Sequence, residues 1–204
     1  MFRVVARVFA CLSLGSGTAW AGAQMYEPLA ASVKASLHAA IADRSAPNAR
    51  FPSMQEKLDW LTDMSARLEK RMPDRNARLD FLNTVYYEAQ RAGLDPQLVL
   101  GLIQVESGFK KYAVSNAGAR GYMQVMPFWV NLIGNPDEHN LFHLRTNLRF
   151  GCTILRHYLD IESGDLYRAL GRYNGSLGKP EYPNLVRAVW ERQWYWGQQK
   201  LTQR

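Results

Sequence analysis

Apolar residues recur at helical spacing along most of the chain beyond its first two dozen residues. In residues 27–43 an apolar position recurs every four residues, which places one stripe on a single helix face: Leu29, Val33, Leu37 and Ile41. No stretch of useful length alternates between apolar and polar residues as a half-buried β-strand would, and there is no internal repeat. The pattern predicts a mainly α-helical protein.

A proline-containing linker, residues 44–53, separates this first helix from a second one. Ser53 is a suitable N-cap, because Glu56 follows three residues later as in a capping box. The apolar residues that follow at helical spacing predict the core face of the second helix: Leu58, Leu61, Met64 and Leu68. Pro73 would end it.

The next helix boundaries are marked by residues with clear conformational preferences. Asp74 begins a third helix, which ends near Gly93. Asp95 caps a fourth helix, Pro96 takes its first position, and the helix runs to about Ser107. Further helices are expected at 127–134, 145–160, 165–172 and 183–195.

The N-terminus follows a different pattern. Arg3 and Arg7 precede a short apolar stretch at residues 8–14, and small residues follow up to Ala21. This order predicts a secretory signal cleaved near Ala21 or Ala23. A retained membrane anchor is the alternative, but the apolar run is much shorter than the roughly 20 residues needed to span a bilayer.

The chain is moderately basic. It carries 25 lysines and arginines against 18 aspartates and glutamates, a formal net charge of +7. A basic exported protein is attracted to polyanions such as cell-wall polymers or anionic lipids. The charges are spread along the chain, and we expect no nucleic-acid partner.

Cysteine and histidine positions give no indication of a disulfide or a metal site. Cys11 lies in the predicted signal, so Cys152 has no internal partner and should be a buried, inert thiol in its apolar helix. His139 and His143 have the four-residue spacing of a metal-binding helix, but Pro136 precedes them and no third ligand follows. We expect neither a metal nor another cofactor.

One acidic residue has an unusual setting. Glu106, in LIQVESGF, directly follows an apolar run, so it is either the solvated end of a buried helix or a carboxyl group kept in an apolar cleft. Three further segments follow it: SNAGARGYMQVMP (115–127), NLRFGCTIL (147–155) and RYNGSLG (172–178). In order and approximate spacing, these segments resemble the soluble lytic transglycosylase (SLT) domain, a lysozyme-like helical fold that acts on bacterial peptidoglycan. The resemblance covers roughly residues 76 to 180.

The resemblance implies that Glu106 is the catalytic acid. It also implies five substrate-contacting residues: Ser115, Gln124, Met126, Tyr173 and Asn174. The hydroxyl of Tyr173 would face the acid. A further set would be largely structural: Asn147, Leu148, Gly151 and Leu155. Two features depart from the family pattern, since Tyr122 stands where leucine is common and residues 175–178 read Gly-Ser-Leu-Gly instead of Ala-Gly-Pro-Gly.

The chemistry implied for Glu106 is proton delivery to the leaving oxygen of a glycosidic bond. Burial raises the pKa of a carboxyl group, which can then hold a proton near neutral pH. Apolar neighbours could supply those surroundings: Leu102, Val105, Met123 and Met126. Most glycosidases use a second carboxylate, which none of the matched segments offers. This fits the family's chemistry, in which the substrate's N-acetyl group assists and the muramoyl C6 hydroxyl attacks C1, with Glu106 now acting as base.

Most of the assigned side chains also have a structural interpretation. Gln124 could satisfy backbone groups of its own loop, and Tyr173 could serve only in packing. Asn174 could make local backbone bonds at a helix end. Met123 and Met126 belong to a residue type that more often fills a core.

The sequence thus predicts a signal at 1–21, an N-terminal helical segment at 22–75 and a lytic transglycosylase domain at 76–196. The expected protein is exported to the periplasm and cleaves the β-1,4 bond between MurNAc and GlcNAc in peptidoglycan glycan strands. A lysozyme-like hydrolase of the same fold and a non-catalytic wall-binding module are the alternatives. The unmatched residues 24–75 could dock a secretion apparatus or another envelope-spanning apparatus.

Overall fold

A computed structural model describes residues 24–42, 51–133 and 141–197 of the chain. These residues form eight α-helices and contain no strand beyond isolated bridges, which confirms the predicted mainly α fold. The helices are α1 (Ala31–Ala42), α2 (Met54–Leu68), α3 (Arg75–Arg91), α4 (Pro96–Ser107), α5 (Phe128–Ile133), α6 (Leu144–Ile161), α7 (Leu166–Asn174) and α8 (Glu181–Val189). A turn of π-helix, Trp190–Trp194, follows α8. The predicted signal, most of the 44–53 linker and His139 lie outside the described residues.

The predicted N-caps form as expected. The side chains of Ser53, Asp74 and Asp95 each accept a hydrogen bond from a main-chain N–H in the first turn of α2, α3 and α4. Each cap satisfies a donor that has no partner within its helix. At its other end α4 stops at Gly108, which adopts a left-handed conformation with φ of 57°. Asp95 and Gly108 thus fix the start and the end of α4, the helix that carries Glu106.

The predicted core face of α2 is wrong at one position. Leu58 is 52% exposed, whereas Trp60 is 1% exposed and belongs to the core with Leu61, Met64 and Leu68. The apolar stripe is therefore rotated toward Trp60, whose indole packs edge-on against Tyr86 of α3 with ring centroids 5.0 Å apart. A large aromatic side chain buries more area than leucine, so its contact with α3 sets the rotation of α2.

The first helix begins later than its apolar spacing predicts. Residues 27–30 are not helical, and α1 starts at Ala31. Glu27 pairs with Arg172 of α7, and the ring of Tyr26 contacts Phe128 of α5. These tertiary contacts hold the segment outside the helix and outweigh its local helix propensity.

The core is built around α4. This helix packs against α3 on one side and against α8 and the π-helical turn on the other, while α6 packs against α3 and α7. Gly101 permits the closest approach, because a Cβ atom there would lie 3.1 Å from the backbone of Trp190. Burial of α4 on both sides explains why its sequence is apolar almost throughout.

A buried ionic cluster attaches α1 to the rest of the fold. Glu88 of α3 is fully buried and pairs at 2.9 Å with both Arg91 and Arg149. Arg91 and Arg149 also donate hydrogen bonds to the carbonyl oxygens of Ala40 and Ile41, in the last turn of α1. Cations at a helix C-terminus satisfy its unpaired carbonyls and complement its dipole.

The helices of the N-terminal segment pack on the same hydrophobic core as the rest of the chain. The division into a segment and a domain at residue 75 stays a prediction. Within the described ranges, no helix has both the length and the apolarity needed to cross a membrane.

Candidate active site

Glu106 lies in the last turn of α4 and is only 2% exposed. The interpretation of this residue as a solvated helix end is therefore wrong. Its surroundings include a cavity of about 610 Å³, lined by Gln104, Val105, Glu106, Ser107, Gly108, Lys110, Ala113, Val114, Ser115, Asn116 and Gln124. The left-handed turn at Gly108 ends the helix and leads the chain into a loop that also lines the cavity.

The carboxylate of Glu106 is held by a residue that the sequence analysis missed. Tyr182, the second residue of α8, is 1% exposed and donates a hydrogen bond to Oε1 of Glu106. Burial, and then the nearby charge of Glu106, raise the pKa of Tyr182 well above its ordinary value. The phenol therefore keeps its proton over the physiological range and can always act as the donor.

Tyr173, which the sequence predicted to face the acid, has another hydrogen-bond partner. Its hydroxyl donates to the carbonyl oxygen of Met123 at 2.7 Å. The charge on Glu106 is the second cause, after burial, of a strongly raised pKa of Tyr173, so the ring does lie near the acid. The hydroxyl that donates to Glu106 is thus Tyr182, and Tyr173 supports the backbone of the neighbouring loop.

Gln124 lines the cavity and also holds its own loop together. It is buried, with φ of 48°, and its Nε2 donates to the carbonyl oxygens of Ala113 at 3.1 Å and Gly121 at 2.8 Å. A non-glycine residue with positive φ is uncommon and persists where the surroundings hold it in place. These bonds support the structural interpretation of Gln124, and its place in the cavity wall leaves the substrate-contacting role as a proposal.

Ser115 lies on the same loop and also lines the cavity. Its Oγ accepts a hydrogen bond from the main-chain N–H of Ala119 at 3.0 Å. Isolated bridges from Arg120 to Val114 and Val125 give this loop a small hairpin character.

Met126 and Asn174 lie outside the wall of this cavity, as does Tyr173. Met126 packs half-buried against the core, and Asn174 donates from Nδ2 to Oγ of Ser176 at 3.1 Å. Of the predicted site residues, the cavity brings together Glu106, Ser115 and Gln124. The roles of all six residues toward a substrate stay predictions.

Asn147 fixes the position of the cavity loop. Its Oδ1 accepts from the N–H of Met123 at 2.8 Å, and its Nδ2 donates to the carbonyls of Arg120 and Leu141 at 2.9 and 2.8 Å. Gly121 has φ of 76°, and a Cβ atom there would lie 2.3 Å from Nδ2 of Asn147. The structural role implied for Asn147 is confirmed by these contacts.

The structure also places Cys152 and His143, two further residues to which the sequence drew attention. Cys152 is fully buried, which confirms the predicted burial, and burial raises the pKa of its thiol, which is in keeping with an unreactive side chain. His143 precedes the first turn of α6. In the part of the chain that the structure describes, no three His, Cys, Asp or Glu residues are grouped so that they could hold a metal ion.

The fold is that of a mainly helical, lysozyme-like domain, and its candidate site holds one buried acid at the end of a helix. Residues 83–183 match the family model described as the transglycosylase SLT domain. This part of the chain therefore belongs to the transglycosylase SLT family.

Named relatives agree with this assignment. The membrane-bound lytic murein transglycosylase C of Actinobacillus pleuropneumoniae serotype 5b (strain L20) is 36% identical over 113 residues, which are 48% of this chain and 31% of the relative. The protein of the same name from Haemophilus influenzae (strain PittEE) is 49% identical over 113 residues, covering 48% and 32%. The transglycosylase of Enterobacteria phage PRD1 is 32% identical over 104 residues, covering 51% and 38%. The chain thus spans only about a third of the length of these relatives.

Proposed function

We propose that this protein is a peptidoglycan lytic transglycosylase that cleaves the β-1,4 bond between MurNAc and GlcNAc and leaves 1,6-anhydroMurNAc ends. The observation that carries the proposal is the setting of Glu106: a buried carboxyl group, held by the Tyr182 hydroxyl, beside a cavity in an SLT domain. The relatives named above as lytic murein transglycosylases support the same activity.

In this mechanism Glu106 first acts as a general acid. It gives its proton to the glycosidic oxygen as the bond to C1 breaks, so the leaving sugar departs with a hydroxyl group. Tyr182 fixes the orientation of the carboxyl group, because its hydrogen bond to Oε1 restricts rotation of the Glu106 side chain. Positioned proton transfer of this kind contributes roughly 10²–10⁴-fold to a rate.

The second half of the reaction uses groups of the substrate. Among the described residues that line the cavity, Glu106 is the one carboxylate, so a second protein carboxylate beside C1 is not at hand there. We propose that the acetamido oxygen of the MurNAc residue stabilises the positive charge at C1. Glu106, now ionised, accepts the proton of the C6 hydroxyl as that oxygen bonds to C1. The acid is regenerated, and no water is consumed.

We further propose that the protein acts on the cell wall from the periplasm, in keeping with its predicted signal and with the excess of basic over acidic residues in the rest of the chain. Peptidoglycan strands are the expected substrate. A secretion or other envelope-spanning apparatus is a further proposed partner, and the surface to test for it is the solvent face of α1 and α2, which lie outside the matched SLT domain.

The test is a digest of purified peptidoglycan, with mass analysis of the released muropeptides. Products lighter than the hydrolytic ones by one water, with 1,6-anhydro ends, are expected. Reducing ends would instead indicate a lysozyme-like hydrolase. Glu106→Gln should abolish release while binding to the wall persists. If the unchanged protein binds the wall and releases nothing, the non-catalytic wall-binding module takes the place of our proposal.

A further inference from the structure

The side chain of Gln24 is bound by the main chain of the cavity loop. Gln24 is 4% exposed, although it lies in a non-helical stretch at the beginning of the described residues. Its Oε1 accepts a hydrogen bond from the N–H of Met126 at 3.2 Å, and its Nε2 donates to the carbonyl oxygen of Gln124 at 3.5 Å. One main-chain donor thus binds the carbonyl oxygen of this carboxamide, and one main-chain acceptor binds its amide nitrogen.

This carboxamide lies next to the candidate active site. Gln124, whose carbonyl oxygen it contacts, lines the same cavity as Glu106. Tyr173 lies close to both groups: the charge on Glu106 raises the pKa of its phenol, and a hydrogen bond with the Gln24 side chain acts in the opposite direction. Gln24 is therefore in direct contact with one residue of the cavity wall, Gln124, and close to the tyrosine beside the acid.

The pair of main-chain groups has a clear chemical preference. It is complementary to an amide that offers one carbonyl oxygen and one N–H. The acetamido group of an N-acetylated sugar has this pattern, with the carbonyl and the N–H on adjacent atoms, as the glutamine carboxamide has. Such a pair of main-chain groups discriminates strongly against a ligand without an amide, because that ligand would leave both polar groups unpaired.

We propose that Gln24 imitates the acetamido group of a substrate sugar, and that residues 24–30 form an autoinhibitory N-terminal strap which an N-acetylated glycan must displace. This inference rests on the proposed function, because that function supplies the class of ligand. The strap and the glycan then compete for the N–H of Met126 and the carbonyl of Gln124.

The N-terminal strap is held by largely exposed contacts, as expected for a segment that detaches and rebinds. Tyr26 packs edge-on against Phe128 with centroids 5.6 Å apart, and Glu27 pairs with Arg172 at 3.0 Å. Both Tyr26 and Glu27 are largely exposed, and Met25 is 64% exposed. Salt screens an exposed ion pair of this kind. The strap can therefore detach without disturbing α1, whose far end is fixed separately by the arginines of the buried cluster.

Binding to a protein that cannot turn over tests the proposal directly. All variants start at Gly22 and carry Glu106→Gln, and the ligand is a GlcNAc tetrasaccharide, with its fully de-N-acetylated counterpart as comparison. If the strap is closed about nine-tenths of the time, it weakens the apparent affinity about ten-fold. Gln24→Ala should therefore bind the N-acetylated tetrasaccharide about ten-fold more tightly. Gln24→Glu should do the same, because a carboxylate oxygen would face the carbonyl of Gln124.

Matched controls separate this effect from a general loosening of the segment. Met25→Ala, at an exposed neighbouring position, should leave the dissociation constant unchanged, and the de-N-acetylated ligand should bind all variants alike. An unchanged or weaker affinity in Gln24→Ala overturns the proposal, as does a failure of every variant to bind the N-acetylated ligand. The readout needs no turnover, so the digest that tests the transglycosylase activity fails or succeeds independently.

Discussion

Tyr182 on α8 donates a hydrogen bond to Glu106 on α4, across 76 positions of sequence. Both side chains are buried, so the bond forms where water does not compete for either group. It joins the candidate acid to a helix that packs along α4. The orientation of the acid is therefore set by the packing of two helices and not by its own helix alone.

Tyr182→Phe should lower the rate of muropeptide release about 10- to 100-fold. A hydrogen bond to a charged group contributes about 1.5–3 kcal/mol, and each 1.4 kcal/mol corresponds to a factor of ten in rate. Because Tyr182 is a positioning residue, we expect the loss in kcat with little change in KM. The measurement is a steady-state assay on a soluble glycan fragment.

The matched control for this substitution is Tyr195→Phe. Tyr195 is about half exposed, and its side chain has no contact with Glu106 among those the structure gives. It should retain full activity. A Tyr182→Phe protein that is fully folded by circular dichroism and fully active would contradict the positioning role.

The sequence predicted Glu106 but neither Tyr182 nor Gln24, and the difference has a physical cause. Glu106 and its helix are defined by short-range features, namely the Asp95 cap and the terminating glycine. Tyr182 and Gln24 reach the site only through tertiary packing, from opposite ends of the chain. Nothing within a few residues of either one marks it as a partner of the cleft.

The errors in the predicted packing have the same origin. Periodicity marked Leu58 as core because it fits the spacing of α2. It could not show that Trp60 would turn that helix toward Tyr86. Element types and caps are local properties, whereas the rotation of a helix about its axis depends on its neighbours.

Asn147→Ala should destabilise the fold by about 3 kcal/mol or more. The substitution leaves the N–H of Met123 and the carbonyls of Arg120 and Leu141 without their partner, and each buried unpaired group costs about 1–3 kcal/mol. Urea unfolding gives the free energy. Asn83→Ala, which removes a single bond to the carbonyl of Leu79, is the control and should cost less than half as much. Equal losses in the two variants would contradict the bridging role of Asn147.

Glu88→Gln should destabilise the protein by about 3–5 kcal/mol, because it removes the charge that Arg91 and Arg149 share in the interior. The same arginines bond the last turn of α1, so amide hydrogen exchange should accelerate there more than in α8. The comparison is Glu191→Gln, whose exposed pair with Arg187 should contribute less than about 1 kcal/mol. If amide hydrogen exchange accelerated equally in α1 and α8, the buried ionic cluster would not be what holds α1 in place.

His157 should make the stability fall as the pH falls below neutrality. Burial lowers the pKa of this imidazole below its ordinary value of 6.5, although Asp160 and Glu27 act in the opposite direction. Between the lowered pKa and 6.5 the unfolded chain therefore binds more protons than the folded one, so the free energy of unfolding rises with pH in that window.

His157→Phe removes this titration and keeps an aromatic ring beside Trp129, whose ring centroid lies 6.2 Å from that of His157. Urea unfolding at pH 7.5 and 5.5 should show a smaller loss of stability in the variant than in the unchanged protein. His143→Gln, at an exposed position, should keep the original difference. If His157→Phe and the unchanged protein lose the same free energy between the two pH values, the buried neutral imidazole is not the source, and the acid sensitivity must come from other groups.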